Sequence, residues 1–288
     1  MASVTSGVNS SKQRITAFHV INALIFILIA LFILLPIWKV FVDSLDLRTS
    51  YGMRLWPQKF GFGGYISIFS NPTLYRPFLI SILTTVTGTI MGLLLSTLGG
   101  YVLIQYKMPG RNIFAGLLLF TMIFSGGMIP TYMVLNKLHM TNTLFAVILL
   151  PAINIYNLVL MRNFFEGIPH SLFEAAEIDG CTPMQTFLRI VLPLSKAALA
   201  AIGLMFAVAY WNDYTNFKIY ITKENLYNFQ MKLRSLIMGS DLPSAIADAT
   251  ESTVQNAAVM VAIIPFMIIY PFCQKYFISG INIGAVKE

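Results

Sequence analysis

The chain has 288 residues, 57% of them hydrophobic and 11% charged, with a mean hydropathy of +0.72. An ordinary soluble domain carries about 25% charged residues, so water is excluded as the solvent for most of this sequence. The net charge of +7 comes from Lys and Arg scattered over loops and span ends, which argues for membrane flanks and against a nucleic-acid surface.

A helix needs roughly 20 apolar residues to cross about 30 Å of hydrocarbon. Six stretches qualify. The first runs over 20–38, the second lies between Arg76 and Lys107, the third between Arg111 and Lys137, and the fourth between His139 and Arg162. The fifth covers 193–212, with Lys196 near one end, and the sixth lies between Glu251 and Lys275. The runs are continuous instead of alternating every second residue, so the fold class is an all-α integral membrane bundle and not a barrel. The first span, though preceded by Lys12 and Arg14, is too long for a cleaved signal and reads as a retained anchor. Two cysteines, Cys181 and Cys273, read as packing residues.

Six spans put both termini on one side, and the two sides then hold nine and ten Lys and Arg, so the count does not orient the chain. The basic N-terminal flank and the short Lys107 to Arg111 loop lean toward cytoplasmic termini. Hydrophilic segments at 43–77 and 213–251 fall on the opposite side.

Pro36, the stretch "SGGMIP" at 125–130, Pro151 and Pro265 should bend or break their helices. Gly88, Gly92, Ser96, Gly99 and Gly100 are spaced for close helix contact in the second span. No span interior holds Asp, Glu, Arg or His, which ion-coupled carriers use as relays. The sequence also lacks a G-x-x-x-x-G-K-[ST] phosphate loop, G-x-S-x-G and H-E-x-x-H, and its three His stand at 19, 139 and 170. No catalytic or metal-binding residues are assigned. Uphill transport would draw its energy from another chain.

The least lipid-like stretch is "SLFEAAEIDGCTPMQTFLRIVLPL", 171–194. Ser171 and Glu174 have capping-box spacing, Gly180 suits a left-handed helix end, and Thr182-Pro183-Met184-Gln185 repeats the capping device. The expectation is a helix, a glycine corner, a second helix ending near Leu192, and Pro193 opening the fifth span. Periodicity alone is also met by two amphipathic helices on the headgroups; the acidic shoulder of Glu174, Glu177 and Asp179 favours a knob for a partner's groove.

Glu174-Ala175-Ala176, Gly180, Ile190 and Leu192-Pro193 reproduce E-A-A-x3-G-x9-I-x-L-P. In these residues, the six spans and a tail "SGINIGAVKE", the chain resembles the permeases of binding-protein-dependent, type I ABC importers. Within them it is most similar to oligosaccharide permeases related to the second maltose-type subunit. The resemblance implies two permease chains forming a heterodimer, two ATPase chains carrying ATP and Mg, an extracytoplasmic solute-binding protein and alternating access. It makes Glu174, Ala175, Ala176, Asp179, Gly180, Ile190, Leu192 and Pro193 the ATPase-coupling residues. It also places 171–192 and both termini in the cytoplasm of a bacterial cell, with 1–17 and 280–288 as tails, 18–42 as the first span, 43–77 as an extracytoplasmic segment and 78–279 as the core. Segment 213–251 would face the binding protein, and the tail would touch the ATPases.

For the solute path, aromatic faces and amides suggest Tyr210, Trp211 and Asn212 in "FAVAYWNDY", with Asn154 and Asn157 in the fourth span. Their alternative reading is an aromatic belt and interhelical hydrogen bonds. A peptide or amino-acid cargo, or a membrane receptor or scaffold, are the competing functions.

Overall fold

A computed structural model describes residues 17–48, 52–105, 108–239 and 249–285; among these the regular structure is helical, joined by turns and loops, with one isolated antiparallel bridge, Asp46 to Phe60. Lys12, Arg14, Lys107 and most of the two expected tails lie outside the described residues.

Three helices cross as single pieces: α1 (Ala17–Ser44), α3 (Pro72–Ile104) after the short α2 (Gly63–Ser70), and the C-terminal helix, α14 (Glu251–Ala285). The first and sixth exceed their expected limits. Helix α14 runs through Gly280 to Ala285, where a tail was expected, and Pro36 and Pro265 lie inside unbroken helices.

The remaining three spans are broken. α4 (Arg111–Ile123) and α5 (Met128–Lys137) meet at 113°, so the third stretch folds back instead of crossing straight. The cause is at 124–127, where Phe124 is extended and Gly127 has φ +85°, a left-handed value that glycine adopts without a Cβ clash. α6 (Leu144–Ala152) and α7 (Ile155–Glu166) bend by 43° just after Pro151, and the Asn154 side chain caps α7 by accepting from the Asn157 amide at 3.0 Å.

Ahead of the fifth span lie α8 (His170–Ile178) and α9 (Pro183–Thr186), which runs on through a wide π-helical turn at Phe187–Val191 and α10 (Leu192–Leu194); after an 81° corner at Ser195 the membrane helix follows as α11 (Lys196–Trp211). The expected stop near Leu192 is therefore two residues early, and Pro193 does not open the membrane helix. A proline inside a helix lacks an N–H and crowds the carbonyl four residues back, and the wider π turn just before Pro193 gives that carbonyl room.

Helix α3 is the mast of the bundle. The glycine stripe predicted on it is buried at Gly88, Gly92 and Gly100. A Cβ at Gly92 would come within 2.6 Å of the Phe206 ring, one at Gly88 would overlap the Tyr210 ring, and one at Gly100 would meet the Arg162 backbone nitrogen at 3.1 Å. These contacts bring α11 and α7 onto α3 at backbone distance. Tyr101, Met161, Phe165, Phe187, Val191, Ile202, Phe206 and Tyr210 form the core that joins α3, α7 and α11 to the π turn at 187–191. Helices α1 and α4 bury none of their apolar side chains in the membrane-spanning part, leaving them to lipid or to another chain.

Past α1, the chain is knotted by Asp46. Its carboxylate accepts from the amides of Gln58 (2.8 Å), Arg48 (3.1 Å) and Lys59 (3.1 Å), and Thr253 donates to its carbonyl. Burial raises the Asp46 pKa, but the three amides and the Arg54 charge outweigh it and hold it below the ordinary carboxylate value. The folded pKa is depressed, so the knot's stability is complete above the unfolded value and is lost as pH falls through the folded one. Proteolysis of 46–60 is expected to accelerate at acid pH in the native protein, and in Asp46→Ala at neutral pH; equal cleavage rates in the two proteins at neutral pH would contradict this.

Candidate functional site at the helix corner

Helix α8 begins two residues before the sequence expectation. Pro169 occupies the N-cap position, no side chain caps it, and Ser171 lies within the first turn, so the Ser171–Glu174 capping box is not formed. With His170 at the first helical position, Glu174 lies four residues on and meets its Nδ1 at 3.2 Å instead. The far end follows the glycine expectation closely. Gly180 has φ +73°, its amide donates to the Glu177 carbonyl at 3.1 Å, and the Cys181 amide donates to the Ala176 carbonyl at 2.9 Å. That pair of bonds is a Schellman corner, which satisfies carbonyls the helix end would leave bare.

The second capping box is complete: the Gln185 amide donates to Thr182 Oγ1 at 3.3 Å, and the Thr182 amide donates to the Gln185 side chain at 2.9 Å. Two short helices are thus held at a fixed angle by local chemistry. The E-A-A residues divide between faces. Ala176 is buried, Glu174, Ala175, Asp179, Gly180 and Pro193 are on the surface, and Ile190 and Leu192 are half-buried, Leu192 against the core. At the tip stands Ile178, 86% exposed, an apolar side chain offered outward among carboxylates.

Two features escaped the sequence reading. Tyr101, at the foot of α3, donates to the Pro183 carbonyl at 2.8 Å and packs on Phe187 with ring centroids 4.8 Å apart. It ties the corner to the mast, and no local pattern around position 101 could signal a partner more than eighty residues away. Glu166 is the second. Its Oε1 accepts from Arg111 Nη2 at 3.0 Å and from Arg162 Nη2 at 2.7 Å, joining the start of α4 to the end of α7 beside the corner. A pocket of about 450 Å³ opens behind α8, lined by Tyr101, Gln105, Arg111, Glu166, Phe173 and Glu177 among others. Among the described residues, no group of three or more His, Cys, Asp or Glu could hold a metal ion.

Tyr101→Phe removes one neutral hydrogen bond, on the order of 1 kcal/mol, without changing the packing. It is expected to leave abundance unchanged and to speed amide hydrogen exchange over 182–187; unchanged exchange would show that this tie is dispensable.

The proposed solute-path residues are not brought together. Tyr210 and Trp211 are 1% and 4% exposed. Tyr210 Oη donates to the Ile148 carbonyl at 2.5 Å and Trp211 Nε1 to the Ala262 carbonyl at 2.9 Å, so both act in this conformation as fasteners between spans. An indole or phenol buried in apolar surroundings must place its donor, and a neighbouring helix supplies the carbonyl. Asn157 is buried and Asn154 caps α7. Asn154 and Asn212 are exposed, and the Asn212 Oδ1 lies 3.4 Å from Gln230 Nε2. Next to it burial pushes the Asp213 carboxyl pKa up, while hydrogen bonds from the Asn216 side chain and amide partly offset this.

The sequence and the fold are shared with known proteins. Protein LplC of Bacillus subtilis (strain 168) is 36% identical over 296 residues, covering all of both chains. The polygalacturonan/rhamnogalacturonan transport system permease protein YtcP of the same strain is 40% identical over 243 residues, covering 80% of this chain and 83% of that one. The chain belongs to the permeases of carbohydrate ABC importers. A crystal structure of a bacterial ABC transporter that imports the acidic polysaccharide alginate contains a chain that superposes with TM-score 0.84 at 30% identity, covering 90% of this chain and 96% of that one. No protein-family model matches the chain. A permease of this family is an integral membrane transport subunit, and the corner at Gly180 lies where its E-A-A motif falls.

Proposed function

We propose that this permease imports an oligosaccharide, working by alternating access with a second, different permease chain, two ATPase chains that bind ATP and Mg, and an extracytoplasmic binding protein. The observation that carries the coupling role is the corner itself: two helices rigidly capped against each other, tied to α3 through Tyr101, with Ile178 exposed at the tip. A large apolar side chain kept outward on a rigid, acid-rimmed knob is suited to a hydrophobic cleft with a basic rim. Closure of the ATPases on ATP would move that knob, and the Tyr101 tie and the Phe187 packing would pass the motion to α3 and α11. In this reading the corner and both termini are cytoplasmic, and segment 213–251, of which 240–248 lie outside the described residues, meets the binding protein.

Cargo class is supported by the company the chain keeps. YtcP is named for polygalacturonan and rhamnogalacturonan, and the structural neighbour imports alginate; all three polymers contain uronic acids. The cargo is accordingly an acidic oligosaccharide. Proteoliposomes containing the assembled transporter and its binding protein should accumulate oligogalacturonide when ATP is supplied and should discriminate against a neutral oligosaccharide of equal length. Accumulation of peptides or amino acids with no sugar uptake would overturn the cargo.

A further inference from the structure

We propose that the loop 52–62 is a membrane-interface anchor that seats Met53, Leu55 and Trp56 in the headgroup boundary of the leaflet at the C-terminal end of α1. The starting observation is a direction. After α1 ends at Ser44 the chain does not continue outward: Trp38 Nε1 donates to the Leu55 carbonyl at 3.2 Å, and the Trp38 and Trp56 rings meet edge to face at 6.3 Å. The loop has therefore doubled back along α1 by the six residues that separate Trp38 from Ser44, about 9 Å at 1.5 Å per residue.

That return brings it to the bilayer boundary. The apolar run of α1 ends at Trp38, and the next turn holds the Lys39–Asp43 ion pair at 2.6 Å, which belongs in the polar layer. Trp38 thus marks the level where hydrocarbon gives way to headgroups, the depth at which indoles are favoured. At that level the loop exposes Met53, Leu55 and Trp56, with Phe60 and Phe62 also exposed on its return strand. A soluble loop would carry polar residues at such positions. Arg54 and Lys59 sit between them, giving cationic ends at the height of lipid phosphates.

The loop is held in this posture and does not merely fall there. The Asp46 carboxylate gathers the amides of Arg48, Gln58 and Lys59, the Asp46–Phe60 bridge closes the ends, and a Cβ at Gly61 would come within 2.6 Å of Leu47. A rigid loop gives up little conformational entropy when its apolar side chains enter the boundary. Membrane lipid is the occupant because the patch lies alongside α1 at the level where its apolar run gives way to the Lys39–Asp43 pair, whereas a soluble partner would approach from beyond the helix end. The inference does not depend on which side of the membrane this end occupies.

The test uses the full chain with Cys181→Ser and Cys273→Ser, reconstituted in nanodiscs of phosphatidylethanolamine and phosphatidylglycerol. A spin label at Leu55→Cys should collide with oxygen several-fold more effectively than with a water-soluble nickel chelate, and a label at Glu224→Cys should show the reverse. Equal nickel collision at the two positions would overturn the anchor. Protection of the Leu55 label from nickel only after the binding protein is added would overturn it in favour of a protein-docking surface. If the labelled variants do not reconstitute, Trp56→Phe should lower the part of the tryptophan fluorescence quenched by lipids brominated near the headgroup; an unchanged quenched part would likewise overturn it.

Discussion

Gly180→Asp is expected to leave membrane insertion and abundance near wild type while abolishing uptake and releasing the ATPases during purification. The separation of the two effects follows from the geometry. Gly180 has φ +73°, so any L side chain there carries strain, about 1–2 kcal/mol for a residue in the left-handed region and less for Asp, whose short side chain can bond locally. No atom lies within 4 Å of the position a Cβ would take, so the chain by itself has room for the substitution. What it lacks room for is a partner: the new carboxylate would stand on the tip beside Ile178, inside any cleft that receives the corner. Western quantification of the permease, with uptake and co-purification of the ATPases, separates the outcomes. Normal uptake in a normally abundant variant would remove the corner from the coupling pathway.

Gly92→Leu is expected to act in the opposite way, removing the protein altogether. A Cβ at this position already comes within 2.6 Å of the Phe206 ring, and the remaining three carbons of leucine would have to displace α11 from α3. Overpacking a dense core costs typically 1–3 kcal/mol where neighbours can shift. Here the neighbour is a fully buried aromatic whose own helix is fastened by Tyr210 and Trp211, so the cost should reach or exceed the upper end of that range. Loss of the folded species in detergent, measured by size-exclusion monodispersity, is the expected result. Gly116→Leu is the matched control, because nothing lies within 4 Å of its Cβ position and it faces outward on α4. A monodisperse Gly92→Leu protein would show that α3 and α11 are not held at backbone distance.

The two substitutions also mark what the sequence can and cannot reveal. Hydropathy places all six membrane segments because the bilayer imposes one length and one polarity on each. The glycine stripe on α3 is equally legible, since small residues recurring on one helical face have few uses besides close approach. Local capping chemistry is legible too: Gly180 and the Thr182–Gln185 box form as their spacing requires. The Ser171 box fails because the helix starts at His170 with Pro169 as its N-cap, and the Glu174 carboxylate meets the His170 ring instead.

Bends were harder. The 113° turn falls at the flagged "SGGMIP" stretch and the 43° bend just after Pro151, whereas the helices continue through Pro36 and Pro265 and the 81° corner falls at Ser195, which no reading marked. A proline in a membrane helix removes one hydrogen bond, and whether the helix then breaks depends on neighbours that sequence does not show. Hardest of all was the solute path. Tyr210 and Trp211 have the composition of a sugar site, and the same composition serves for fastening spans, because a buried aromatic donor needs a carbonyl as much as a sugar needs a ring. In this conformation their donors bond the Ile148 and Ala262 carbonyls.

The central claim is that the Gly180 corner is the part of this permease that touches the ATPases. Ile178 is the residue to ask, being 86% exposed at its tip. A photo-crosslinking amino acid placed at position 178 in the assembled transporter should give one dominant adduct, with an ATPase chain, and its yield should change when ATP is added. Adducts with lipid only, or none with an ATPase under either condition, would contradict the account.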